Sequence, residues 1–156
     1  YIIKVTFSFI NGGKMNIVIK AGCILINKKQ RTIALVVQNG EYSFPKGHLE
    51  KNETIEECAI RETIEETGHD VKILKKLKPI KYKSPEDKIY ENYYFIGIDE
   101  GITNKKIEDK DKEEVEWHQF EEIEETLSYT YLKEFWKVIK NDVAKLLIEN
   151  KDKRGK

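Results

Sequence analysis

What this chain lacks narrows the field first. It has no excess of charge: 28 Lys and Arg stand against 28 Asp and Glu over 156 residues. Such a balance gives no electrostatic footprint for nonspecific attachment to nucleic acid or to a membrane surface. It has no apolar run approaching the ~20 residues that cross a bilayer. It has only 2 cysteines, Cys23 and Cys58, at a spacing that matches neither a zinc site nor a redox motif. Both therefore read as reduced, buried thiols of a cytoplasmic protein. No internal repeat and no linker interrupts the sequence. What is present is a 39% hydrophobic fraction with 8 Tyr, 6 Phe and 2 Trp, enough for a core and too much for wholesale disorder. The length suits one compact domain.

Residues 1–14 allow two readings. The chain's only methionine is Met15, and Gly12-Gly13-Lys14 can be encoded by GGA-GGA-AAA, which looks like a ribosome-binding site. On that reading translation begins at Met15 and residues 1–14 are a translated leader. Alternatively Ile3, Val5, Phe7 and Phe9 alternate and Asn11-Gly12 signals a hairpin, which makes residues 1–14 an extra N-terminal strand. Residues 15–150 then form the domain proper, and residues 151–156 a frayed tail.

Along the chain, residues 16–26 and 32–37 read as strands rich in Ile and Val, and Tyr42 to Phe44 as a short extended piece. Val71 to Ile80 and Ile89 to Ile98 read as further strands, separated by a charged loop over Lys81 to Lys88. Residues 100–114 read as a polar loop, Val115 to Phe120 as a last strand, and Glu121 to Leu127 as a short acidic helix. Leu132, Phe135, Trp136, Ile139, Val143, Leu146 and Leu147 recur at three and four, which predicts a long amphipathic closing helix. Strands and helices interleave irregularly, so the pattern predicts a mixed sheet flanked by helices.

Residues 54–68 hold the unusual helix. Thr54 and Glu57 fit a capping box, and Gly68 supplies the stop. Glu62, Glu65 and Glu66 then stand at i, i+3 and i+4, on one arc. Like charges at this spacing repel by ~0.2–0.5 kcal/mol per pair. They also occupy the last turns, where the helix dipole disfavours anions. Ile55, Cys58 and Ala59 lie on the same arc, so this side leans on protein rather than open water. Carboxylates crowded at a helix end suit a hard divalent cation such as Mg²⁺, which takes oxygen ligands and keeps positions for water and phosphate.

The same stretch reads Gly47-x5-Glu53-x7-Arg61-Glu62-Thr63-Ile64-Glu65-Glu66-Thr67-Gly68-His69. It resembles the Nudix box, G-x5-E-x7-R-E-U-x-E-E-x-G-U with U apolar, at every charged and glycine position. Thr63 and His69 depart from the two apolar positions, and His69 bears on packing after the helix rather than on the acids. The resemblance implies a Nudix-type α/β/α sandwich with a mixed central sheet. It also implies hydrolysis of a nucleoside diphosphate linked to a further group. By that resemblance Glu62, Glu65, Glu66 and the carbonyl of Gly47 hold Mg²⁺, with Mn²⁺ as a substitute, and Arg61 and Glu53 lock the loop onto the helix. Glu62 is the first choice for general base. Glu113, Glu114 and Glu116 are candidates for a loop acid or further ligand, with Glu114 the first choice for the added metal ligand. His48, His69 and His118 have no Ser or Cys partner for nucleophilic catalysis.

The run Phe44-Pro45-Lys46-Gly47-His48 and the Thr63 variant resemble the asymmetric diadenosine-tetraphosphate hydrolases. Lys46 and His48 are expected on phosphate oxygens. Tyr82, between Lys81 and Lys83, is expected to stack on a base with Lys83 nearby. Of Tyr93 and Tyr94, alternation sends one to the core and leaves the other for the cleft. The favoured expectation is a dinucleoside polyphosphate hydrolase, acting on a small nucleotide as monomer or homodimer, with neither a membrane nor a stable nucleic-acid complex. The alternatives are a MutT-like nucleoside triphosphate pyrophosphatase, an RNA pyrophosphohydrolase, or a nucleotide-binding module without catalysis.

Overall fold

The structure, a computed structural model, describes residues 4–8 and 14–148. The expected hairpin turn at Asn11-Gly12 and the tail at 151–156 lie outside these residues. In chain order the strands are β1 (Lys4–Ser8), β2 (Lys14–Asn27), β3 (Thr32–Gln38), β4 (Glu41–Ser43) and β5 (Lys46–His48), then, after helix α1 (Ile55–Thr67), β6 (His69–Lys76), β7 (Ile80–Lys83), β8 (Lys88–Ile102) and β9 (Glu114–Gln119). Helices α2 (Ile123–Thr126) and α3 (Thr130–Ile148) follow.

The Ile- and Val-rich β2 is the spine. Along one edge it pairs in parallel with β8, from Asn16 opposite Lys88 to Ile26 opposite Ile98. Its other edge serves three antiparallel partners in turn: β1, with Lys4 opposite Val18, then β5, with Gly22 opposite Lys46, then β3, with Ile26 opposite Ile33. The sheet therefore opens between β3 and β5, and the functional residues gather around that opening.

Strand alternation divides the core in two. Ala21, Cys23 and Leu25 of β2 and Phe95 of β8 face Cys58, Ala59 and Ile64 of α1. Ile24 and Ile26 with Tyr94 and Ile96 face Leu132, Trp136, Ile139 and Val143 of α3. The result is the mixed sheet expected from the pattern, in the α/β/α sandwich that the resemblance implied. Neither cysteine is in a disulfide and both are buried, and burial pushes each thiol up to about 12.

Several boundaries differ from the sequence reading. The strand expected over Val71 to Ile80 divides, with β6 ending at Lys76 and β7 resuming past Pro79, since proline cannot donate to a ladder. The expected loop at Lys81 to Lys88 begins as β7, where Tyr82 pairs with Tyr90. β8 runs on into the polar segment to pair Ile102 with His69, and a short 3-10 turn occupies Asp109–Asp111. His69, out of pattern for an apolar site, bonds Asp99 through Nδ1 at 2.8 Å and packs edge-on against Trp117 at 5.2 Å. Its polar atom is satisfied while its ring fills the place of an aliphatic side chain.

Candidate active site

The site is built on the last two turns of α1 and on β5. The Glu57 amide donates to the Thr54 hydroxyl at 3.0 Å and the Thr54 amide to the Glu57 carboxylate at 2.9 Å. Gly68, in the left-handed region at φ 73°, ends the helix with its N–H on the carbonyl of Ile64. These two stops set the phase of the helix and so aim Glu62, Glu65 and Glu66 together toward β5.

Arg61 organises the acids. Its Nε and Nη2 donate to Glu53 at 2.6 and 3.1 Å. Nη1 reaches Glu62 at 2.8 Å and Glu65 at 3.1 Å, and Nη2 also donates to the carbonyl of His48 at 3.0 Å. One guanidinium thereby joins loop, strand and helix in a planar fork that a lysine could not reproduce. Glu66 is tied separately, accepting from the backbone N–H of Lys46 at 3.0 Å. Gly47 sits directly over Glu62, and a Cβ there would collide with the Glu62 carboxyl. Its carbonyl receives a weak bond from the Cys58 thiol at 3.6 Å.

Burial destabilises each of the three acids as an anion. Burial raises the Glu62 carboxyl above the usual range, against the pull of Arg61. Glu65 is raised in the same way. Glu66 is pushed up to about 8, first by burial and then by the neighbouring Glu62. Glu53, by contrast, is held low: burial works against it, but Arg61 and the Glu50 amide more than compensate. An all-oxygen set of crowded, half-desolvated carboxylates beneath a glycine fits a hard divalent cation, whose charge would relieve their repulsion. Glu62, Glu65 and Glu66 would hold it. Among the described residues no three Asp, Glu, His or Cys side chains are placed to hold a metal ion together; Arg61 takes up Glu62 and Glu65 instead.

The acids line an open cavity of about 540 Å³. Lys20, Lys46 and His48 face them across it, with Gln38 and Glu113 at the rim. Burial lowers the Lys46 ammonium below its ordinary value, and the nearby Lys20 lowers it further. Burial also depresses the His48 imidazolium below its ordinary value, again with Lys20 and Lys46 adding to the effect.

Three expected site residues lie elsewhere. Glu114 is exposed at the start of β9 and does not line the cavity. Alternation sends Val115 and Trp117 toward the α1-side core, and Glu114 to the face where Glu116 bonds Tyr42 and His118. Its neighbour Glu113 takes the rim position, accepting from Gln38 at 2.8 Å. Lys83 is turned to an ion pair with Asp87 at 3.4 Å. Tyr82 is stacked on Tyr90, 5.1 Å between centroids at 13°. Tyr93 bonds Glu91 on the α1 side, and Tyr94 is fully buried in the α3-side core. The sequence reading missed Lys20 and Gln38, and named Glu113 only as one of three candidates for a loop acid or further ligand. Only register across strands brings them to the acids, although Lys20 as a lone charge in an apolar strand was a visible signal.

Fold and site together set a carboxylate cluster on one side of the cavity and ammonium groups on the other. The NUDIX domain family matches residues 17–139, and the chain belongs to that family. Over 106 residues it is 30% identical to "mRNA-decapping enzyme subunit 2" of Arabidopsis thaliana, an alignment covering 66% of this chain and 28% of that protein. Over 58 residues it is 47% identical to "Putative 8-oxo-dGTP diphosphatase YtkD" of Bacillus subtilis (strain 168), covering 37% of each. The chain thus spans well under half the length of these relatives. Among solved structures, the MutT protein of Methanosarcina mazei Go1 superposes with a TM-score of 0.63 at 20% identity, covering 81% of this chain and 94% of that one. A NUDIX hydrolase from Nitrosomonas europaea gives 0.62 at 18% identity, covering 81% and 89%.

Proposed function

We propose that this protein hydrolyses a phosphoanhydride bond in a nucleoside polyphosphate with Mg²⁺, and that a dinucleoside polyphosphate such as diadenosine tetraphosphate is its substrate. The observation that carries the reading is the pairing of opposites in one cavity. Glu62, Glu65 and Glu66 suit a cation, and Lys46, without an ion-pair partner among the described residues, suits an anion. A metal-bridged polyphosphate is a ligand that satisfies both. The run from Pro45 to His48 supports the dinucleoside form, by its resemblance to that branch.

Mg²⁺, when bound, supplies Lewis acidity that neutralises phosphate charge and eases ionisation of the attacking water. The chain's own residues do the rest. Glu62 accepts the water's proton at the oxygen Arg61 does not hold. Arg61 and Glu53 fix the acids in place, while Lys46 and His48 orient phosphate oxygens. No covalent intermediate with a side chain is required. The thiols of Cys23 and Cys58, in no disulfide, suit a reducing cytoplasm.

A second reading is hydrolysis of a nucleoside triphosphate. The local 47% identity to a protein named for 8-oxo-dGTP favours it, as does the stacking of Tyr82 against Tyr90, which occupies a face expected to receive a base. A panel of diadenosine tetraphosphate and nucleoside triphosphates with Mg²⁺, with products identified, separates the two. ATP plus AMP from the dinucleotide supports the first reading. Monophosphate plus pyrophosphate from a triphosphate, with the dinucleotide untouched, replaces it with the second.

A further inference from the structure

Gly22 is buried in the interior of β2, where a glycine weakens a strand and marks a close approach of backbone. Its φ lies outside the left-handed region that Gly40, Gly68 and Gly101 occupy, so space rather than conformation calls for it. It stands opposite Lys46 in the antiparallel β2–β5 register and opposite Tyr94 in the parallel β2–β8 register. A Cβ on Gly22 would collide with the carbonyl oxygen of Pro45, and would lie 2.8 Å from both Cα and Cβ of Lys46. In an ordinary antiparallel pair the two Cβ atoms stand about 4.5–5.5 Å apart. At this pair β5 therefore lies closer to β2 than side chains on both strands would allow.

Two further observations tie this approach to the acids. On one side the chain enters β5 from Phe44, which is buried in the α3-side core against Tyr94 at 5.8 Å and Trp136 at 6.3 Å. Pro45 follows with its φ fixed by the ring, so the anchored Phe44 aims the Pro45 carbonyl at Gly22. On the other side β5 meets α1. The Lys46 N–H donates to Glu66 at 3.0 Å, and a Cβ on Gly47 would collide with the Glu62 carboxyl. Gly47 stands opposite Ala21, so alternation puts Gly47 on the α1 face and Gly22 on the α3 face. A missing side chain thus permits each of two close contacts of β5, one against β2 and one against the acids.

We propose that Gly22 is a positioning residue of the active site. By leaving room for the Pro45 carbonyl against β2 it sets the depth of β5, and through β5 it places the Lys46 amide on Glu66 and Gly47 over Glu62. The inference rests on the hydrolase reading of this site and deepens it, by tracing the placement of the acids to a residue that touches neither them nor the substrate. A methyl group at residue 22 pushes the Pro45 carbonyl off β2. The displacement passes to the next residue, Lys46, whose amide holds Glu66 and whose side chain lines the cavity.

The test uses the full chain with Gly22→Ala and, as a control of equal size, Gly40→Ala, where the added methyl meets nothing within 4 Å and only a left-handed turn is strained. kcat is measured on whichever polyphosphate the wild type cleaves, and hydrogen exchange of the Lys46 amide by nuclear magnetic resonance without added metal. Gly22→Ala lowers kcat by about 10²-fold, the loss expected for a displacement of about 1 Å. It also speeds exchange of the Lys46 amide by about tenfold or more, as a charge-assisted bond is lost. The Leu49 amide, bonded to the Ile19 carbonyl at 3.0 Å, keeps its rate. Gly40→Ala melts lower but retains kcat and the protection of the Lys46 amide. Should Gly22→Ala not fold, Pro45→Gly probes the same contact from the other strand: no longer aimed by the ring, the carbonyl leaves Gly22, with the same fall in kcat and rise in exchange. In the variant that folds, an unchanged kcat, or a fall in kcat with the Lys46 amide still protected, overturns the inference and leaves the hydrolase reading standing, as does an equal loss in Gly40→Ala. A wild type that cleaves no nucleoside polyphosphate overturns both.

Discussion

Helices α1 and α3 cover opposite faces of one sheet and are built to different ends. α3 buries Leu132, Phe135, Trp136, Ile139, Val143 and Leu147 along a continuous stripe. α1 buries only Cys58, Ala59, Thr63 and Ile64, and it has no basic residue in its last turn to offset Glu65 and Glu66. A helix selected for stability alone would carry lysine there. α3 thus anchors the fold, and α1 gives up stability to bring three acids to one point. Arg61, bonded to Glu53, Glu62 and Glu65 at once, limits the strain without removing it.

Substitutions on the two helices should therefore separate activity from stability. Glu66→Gln is expected to lower kcat by about three orders of magnitude, roughly 4 kcal/mol of transition-state stabilisation, while its melting temperature stays level or rises as a buried charge is lost. Unfolding of this variant in a melting scan would make the acid structural and erase the contrast. Trp136→Ala on α3 should do the reverse, costing about 3–5 kcal/mol in urea denaturation with specific activity of the folded fraction retained. Gly47→Ala sharpens the comparison. The added methyl meets the Glu62 carboxyl, and displacement by about 1 Å lowers turnover by roughly 10²-fold with little change in melting. The smallest effect is Thr54→Ala, which removes the cap of α1 and lowers stability by about 1 kcal/mol, read from the denaturation midpoint.

Much of this was legible in the sequence where the physics is local. Thr54, Glu57 and Gly68 announce the ends of α1, and the three-four spacing from Leu132 to Leu147 announces α3, because capping and amphipathicity act within a few residues. The Glu53–Arg61 contact was legible through its motif. What escaped was set at long range. β7 hid in a lysine-rich segment because its pairing with β8, not its composition, makes it a strand. Glu113 and Glu114 are adjacent and chemically alike, and only the pleat of β9 puts one at the cavity rim and the other in solvent. Lys20 meets the acids only through the β2–β5 register, which no spacing along the chain encodes.

The central claim is that the crowding of Glu62, Glu65 and Glu66 is resolved by a divalent cation. Titration of Mg²⁺ into the purified protein by calorimetry, alone and with a nonhydrolysable nucleotide, tests it most directly. Saturable binding in the wild type, strengthened by the nucleotide and abolished in Glu66→Gln, is the predicted result. A wild type that takes up neither Mg²⁺ nor Mn²⁺ under either condition would contradict it.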